Sequence, residues 1–214
     1  IIEHNVIMLV LMALIMAKKR PSVELKPIYV KLILISSIFS IAFVLYVANV
    51  VVDGEKKMKR IEGFQAQGNW HGMKKAASEL EISLYDINPF SMPVAWYSGV
   101  ASYSLGNINE AMVSFEKAKA VHPYNVNVLN NMASSFYNMK DEKNAKLYYE
   151  RVLSVSPSFE EALINLSIIH FNNNNIEKAY EMIARCNYGT NHFNYQKVLH
   201  LVLTKYIKLK TKHC

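Results

Sequence analysis

The chain has 214 residues, with 24 Lys+Arg against 17 Asp+Glu, a formal net charge of +7 and 51% hydrophobic residues. That hydrophobic share excludes a disordered chain, and seven Gly and six Pro exclude collagen-like and linker-rich sequences. Two cysteines, Cys186 and Cys214, exclude a disulfide scaffold and a four-cysteine zinc site.

The first residue is Ile1 rather than Met, so the sequence is read as a fragment or a processed product. Residues 1–52 have a membrane composition. The run 32–52 is 21 residues without a charge, which at helical rise spans about 30 Å, the thickness of a bilayer core. A helix over about 28–52 follows, with Pro27 in its first turn and Lys31 placed to snorkel. The shorter apolar run 6–17 is expected to form a second membrane helix. A signal peptide would place its positive charge before the apolar core, whereas Lys18, Lys19 and Arg20 come after it.

Charge is concentrated in two flanks. Residues 18–31 carry Lys18, Lys19, Arg20, Lys26 and Lys31 against Glu24, and residues 197–214 carry five lysines and no acid. The rest of the chain is slightly acidic, so the basic pI does not indicate nucleic-acid binding. Topology is balanced, because Lys56, Lys57, Lys59 and Arg60 beyond the second span oppose the five basic residues of the hairpin.

Residues 53–91 are expected to form a degenerate helix pair. Gly68-Asn69-Trp70 supplies its turn, and Ala76, Ala77, Leu80, Leu84 and Ile87 form a helical apolar stripe closed by Asn88-Pro89. Three units of 34 residues follow, over 92–125, 126–159 and 160–193. Small residues recur at the eighth position (Gly99, Ala133, Ser167) and alanines at the twentieth (Ala111, Ala145, Ala179). Aromatics recur at the twelfth (Tyr103, Tyr137, Phe171), and Phe115, Tyr149 and Ile183 occupy the twenty-fourth. Pro123 and Pro157 close the first two units, and the third lacks its proline. Gly106, Lys140-Asp141 and Asn174-Asn175 fall at the inter-helix turns. The pattern resembles the tetratricopeptide repeat, a helix–turn–helix unit of that length. Such a unit cannot bury its apolar face alone, and stacked units can. The expected fold is therefore all-α: one or two N-terminal transmembrane helices, then an α-solenoid of three to four helix pairs. A basic helix over 194–214 caps it, or lies on an anionic membrane surface.

No catalytic constellation emerges. Seven histidines are scattered without the spacing of a metal site, and no phosphate loop, nucleophile elbow or paired-carboxylate motif is present. No cofactor or metal is implied. The remaining candidate is the concave groove, lined by positions two, five, nine, twelve and thirteen of each unit. Its candidate binding residues are Trp96, Tyr103, Asn127, Asn130, Ser134, Tyr137, Asn138 and Phe171. They are aromatic and amide-rich, with almost no charge, which argues against a basic clamp for a peptide carboxylate. They suit an extended peptide or a sugar chain, or packing against another part of the same protein.

Glu3-His4 before the run 6–17, the turn Lys18-Lys19-Arg20-Pro21, the span to Val52 and the segment Val128-Leu129-Asn130-Asn131-Met132-Ala133 together resemble the C-terminal part of bacterial O-antigen ligase/polymerase-like membrane proteins with a tetratricopeptide tail. That resemblance implies an inner-membrane location, a periplasmic repeat domain, and membrane lipid with a protein or glycan partner. It carries no catalytic residue into this chain, although the parent protein would be a glycan ligase. A stand-alone membrane-anchored adaptor for envelope or secretion proteins is the alternative.

Overall fold

The computed structural model describes residues 27–81, 85–187, 189–190 and 192–211. Among these are nine helices and no strand: α1 (Pro27–Ala66), α2 (Trp70–Glu81), α3 (Val94–Ser104), α4 (Ile108–Val121), α5 (Val126–Asn138), α6 (Glu142–Val155), α7 (Glu160–Asn172), α8 (Ile176–Ala184) and α9 (Tyr195–Thr211). The predicted helix over 6–17 and its basic hairpin up to Lys26 lie outside the described residues, as do Leu84 and Cys214. The chain divides into two units, Ile1–Asn49 and Val50–Cys214.

In the first unit the helical residues expose their large side chains, with Ile38, Phe39 and Phe43 each about two-thirds accessible or more. α1 is long and apolar enough to cross a membrane by length and composition. Its serines are satisfied within the helix. Ser36 and Ser37 donate to the Ile33 carbonyl at 2.9 and 2.8 Å, and Ser40 donates to that of Ser36 at 2.9 Å.

The second unit is a stack of helix pairs. Met58 and Ile61, from the C-terminal part of α1, are buried with Met73, Ala77 and Leu80 of α2. α3/α4, α5/α6 and α7/α8 form the next three pairs. Each pair turns through one residue in the left-handed region: Gly68 (φ 66°), Gly106 (82°), Lys140 (64°) and Asn174 (57°). The following amide then bonds back five residues, Asn69 to Phe64, Asn107 to Ser102, Asp141 to Phe136 and Asn175 to His170, at 2.9 Å each. This is the Schellman arrangement, which satisfies carbonyls left open at a helix end. Asn125 and Asp141 cap the next helices. Asn125 Oδ1 accepts from the amides of Asn127 and Val128, and Asp141 Oδ1 accepts from that of Asn144.

The small–large alternation closes each pair. Ala111, Ala145 and Ala179 are fully buried, as are Phe115, Tyr149 and Ile183 beside them. In the α7/α8 pair the small residue is Ser167, and its hydroxyl donates to the Ala179 carbonyl at 2.8 Å. α9 covers this last pair. Tyr195, Val198 and Val202 are buried against Leu163, Ile164, Ile183 and Cys186, and Tyr206 stacks on Tyr180 with ring centroids 4.2 Å apart.

The segment after α2 departs from the expected apolar stripe. Ile87 is not helical but pairs in an isolated bridge with Pro93. The cause is Asn88, a buried polar residue. Its Oδ1 accepts from the amides of Phe90 and Met92 at 3.0 and 2.9 Å, and its Nδ2 donates to the Tyr97 hydroxyl at 3.1 Å. The asparagine thereby offers the backbone a loop in place of a helix. Tyr85 anchors the same loop, donating to Glu55 at 2.5 Å, and its ring fills the space over Gly54.

Candidate binding groove

The first helix of each pair brings its twelfth residue to one face. Tyr103, Tyr137 and Phe171 are each the last residue but one of α3, α5 and α7, and all are half-buried. Each tyrosine is joined to the next repeat. Asn138 Nδ2 donates to the Tyr103 hydroxyl at 2.5 Å, and Asn172 Nδ2 donates to that of Tyr137 at 3.3 Å. Phe171 lies in a pair that is followed among the described residues by α9 rather than by another helix pair. It carries no hydroxyl, and Lys205 of α9 lies over its ring at 4.9 Å. The aromatic row is thus also a ladder that ties pair to pair.

A cavity of about 190 Å³ opens in this face. Four of the predicted residues line it, Tyr103, Ser134, Tyr137 and Asn138, together with Tyr149, Glu161, Asn165 and the segment His192-Phe193-Asn194. Ser134 and Tyr149 share a hydrogen bond of 2.9 Å. Burial raises the pKa of the Tyr103 hydroxyl, the Asn138 hydrogen bond opposes this, and the Glu161 carboxylate adds to it. Burial likewise pushes Tyr149 above the usual phenol range, against its bond to Ser134. The loop that closes one side is tethered through Thr190, which donates to Glu160 and accepts from the His192 amide.

The other four predicted residues are not in the cavity. Asn130 is 1% exposed, so its placement on the groove surface is corrected: it faces the core, and its Oδ1 has no hydrogen-bond partner among the described residues. Trp96 packs both against the core around Met73 and Leu80 and against the core around Phe115 and Leu129, edge-on to Tyr97 at 4.9 Å. Asn127 lies in the capped first turn of α5, and Phe171 lies under Lys205. Tyr149, Glu161, Asn165 and the segment His192-Phe193-Asn194 are lining residues that the sequence reading does not include. The signal for Tyr149 was available across the repeats, because positions nine and twenty-four read Val100/Phe115, Ser134/Tyr149 and Ile168/Ile183. Only the middle unit makes both polar. Among the described residues, no group of three or more His, Cys, Asp or Glu could hold a metal ion.

Residues 126–159 match the tetratricopeptide repeat family, which is the second unit read from the sequence. Solved structures that share the fold include the following three. A tetratricopeptide repeat protein from Parabacteroides merdae ATCC 43184 superposes with a TM-score of 0.57 at 18% identity, over 72% of this chain and 61% of its own. The chain therefore spans less than two-thirds of that relative. MamA superposes with a TM-score of 0.54 at 14% identity, over 72% of this chain and 81% of its own. The first tetratricopeptide domain of Spaghetti, bound to the HSP90 peptide SRMEEVD, gives 0.50 at 20% identity, over 53% of this chain and 94% of its own. No curated protein matches the chain by sequence. The protein is thus a helical-repeat protein with a tetratricopeptide-type solenoid. Its second 34-residue unit is a tetratricopeptide repeat.

Proposed function

We propose that the solenoid is a scaffold that holds an extended segment of a protein partner in its concave groove. The carrying observation is the tyrosine–asparagine ladder. Asn138 Nδ2 is fixed by the Ser134 carbonyl at 3.0 Å, which can only accept, and it also donates to Tyr103. Both amide hydrogens are then used, and Oδ1 remains to accept. The Tyr103 oxygen has accepted, and its own hydrogen remains to donate. One acceptor and one donor side by side match the N–H and C=O of an extended peptide backbone. The relative that binds the HSP90 peptide supports a peptide as occupant. That peptide is acidic, whereas α3 and α5 carry no charged residue, so a different peptide class is the partner here.

Panning a random-peptide library on the full chain in detergent tests this reading. Enriched peptides should lose binding to a Tyr137→Ala/Asn138→Ala double variant that keeps its helical circular dichroism. Equal binding to the double variant would place the peptides elsewhere.

The finer context is also a proposal. The apolar, solvent-facing part of α1, with its serines bonded to their own helix, suits a lipid environment where backbone and hydroxyl groups must be satisfied internally. The scaffold is then tethered to the bacterial inner membrane, with the repeats on the periplasmic side as the O-antigen ligase/polymerase-like resemblance implies. In that setting the ring faces and amides of the groove would meet a glycan chain, and a glycan array run beside the peptide library separates the two occupants. Sequencing upstream of Ile1 tests the parent. Further membrane helices in frame support the ligase reading, and an initiator Met close by supports a free-standing adaptor.

A further inference from the structure

The cavity has a lining that repeat packing does not require. Three phenols, Tyr103, Tyr137 and Tyr149, line it, and among the described residues Glu161 is its one acid, His192 its one imidazole, and no Lys or Arg takes part. Its volume of about 190 Å³ falls below the roughly 300 Å³ at which pockets for drug-sized ligands begin. It suits a single side chain.

Glu161 is set apart from its neighbour. Glu160 is bonded to Thr190, whereas Glu161 is exposed in the first turn of α7 and enters no ion pair among the described residues. Lys205, the basic residue that reaches the aromatic row, lies over Phe171 instead. Beyond the effect of burial, the Glu161 carboxylate raises the pKa of both Tyr103 and Tyr149, so its field reaches both hydroxyls. A carboxylate that enters no ion pair, in a cavity also lined by aromatic residues whose ring faces carry negative quadrupoles, attracts a cation. One carboxylate and one imidazole among phenols and amides are too few strong ligands for a metal ion among the described residues. It does suit an ammonium or guanidinium group.

The geometry points to this cavity as a specificity pocket for a lysine or arginine side chain of the bound peptide, held by Glu161 and the half-buried rings of Tyr103 and Tyr137. The inference rests on the peptide-groove reading and names the class of segment that the groove selects. A basic residue enters the cavity while the ladder at Tyr103 and Asn138 reads the backbone beside it. Electrostatic complementarity of this kind sets register and rejects acidic segments.

The test compares library panning on the full chain in detergent with panning on Glu161→Gln. Lys or Arg should dominate one position among binders of the native chain and lose that preference on the variant. A synthetic peptide from the native selection, and its counterpart with norleucine in place of Lys, are then titrated against both proteins. The norleucine peptide should bind the native chain about fivefold more weakly, as expected for a partly exposed ion pair with cation–π contacts. On Glu161→Gln the two peptides should differ by less than about twofold. Enriched peptides without a basic position, or a basic preference that survives Glu161→Gln, would overturn the pocket and leave the groove reading standing. Failure of any peptide to enrich would remove the groove reading and the pocket with it.

Discussion

Gly99 lies against the ring of Phe115 so closely that a Cβ built on it would stand 2.4 Å from Phe115 Cε1. The two residues occupy the small and large positions of the first 34-residue unit. The ring is fully buried and has no space to retreat. Gly99→Ala should therefore overpack the α3/α4 contact and destabilise the repeat unit by about 1–3 kcal/mol. Gly63→Ala makes the control, because nothing lies within 4 Å of its added carbon. Urea melts followed by circular dichroism compare the two, and equal midpoints would mean that the α3/α4 interface is looser than described.

The inter-helix turns give a second comparison. Lys140 holds φ 64° and Gly106 holds φ 82° at equivalent places. A side chain in the left-handed region costs about 1 kcal/mol relative to glycine. Lys140→Gly should raise stability by up to about 1 kcal/mol, less the greater chain entropy of the unfolded glycine. Gly106→Ala should lower it by a similar amount. The order of urea midpoints, Lys140→Gly above native above Gly106→Ala, is the expected result.

Much of this was legible in the sequence because the repeat is written in residue size. Gly99, Ala133 and Ser167 against Phe115, Tyr149 and Ile183 fix which helices touch, and the 34-residue spacing puts Tyr103, Tyr137 and Phe171 in register. The segment around Asn88 was not legible. An asparagine that loops the chain through its own side chain leaves no periodic trace, and Ile87 merely continues the stripe of α2. Asn130 misled for a related reason. Position alone assigned it to the groove, and which way a polar residue faces is decided by neighbours on other helices. Glu161 escaped notice because one acid on a helix is ordinary until the phenols around it are known.

Cys186 offers a pH test. Burial pushes its thiol up to about 11, with Glu160 adding to the shift and Arg185 opposing it. A folded-state pKa above the unfolded one means that the native state favours the protonated thiol. Its contribution is complete below the unfolded pKa near 9 and is lost as pH rises through 11. Stability should fall across that window, and Cys186→Val should fall less steeply. At pH 8 the native thiol should resist iodoacetamide until the protein is unfolded, which peptide mapping of Cys186 reads directly.

The proposed tether predicts integral membrane behaviour. Residues 32–52 carry no charge, so an anchor made by them is apolar and insensitive to salt. The full chain should stay with membranes through high-salt and carbonate washing. Release by salt alone would show that only surface charge holds it there, since such attraction is screened within about 10 Å at 0.1 M salt. A chain beginning at Asp53 should appear in the soluble fraction.

The middle unit permits a test that separates binding from stability. Ser134 and Tyr149 hydrogen-bond at 2.9 Å, where the first unit has Val100 and Phe115 and the third has Ile168 and Ile183. Removing one partner strands the other, whereas replacing both with apolar groups of similar shape is close to neutral. Tyr149→Phe and Ser134→Val should each cost about 0.5–1.5 kcal/mol. The double variant, which copies the first unit, should cost less than the two singles added, with a coupling of about 0.5–1 kcal/mol. Its groove would lose two polar groups while its core stayed filled. Peptides selected on the native chain should then bind the double variant several-fold more weakly, while its stability loss stays smaller than the two single losses added. If stability and peptide binding instead fall together across all three variants, the polar pair serves only the packing of α5 on α6.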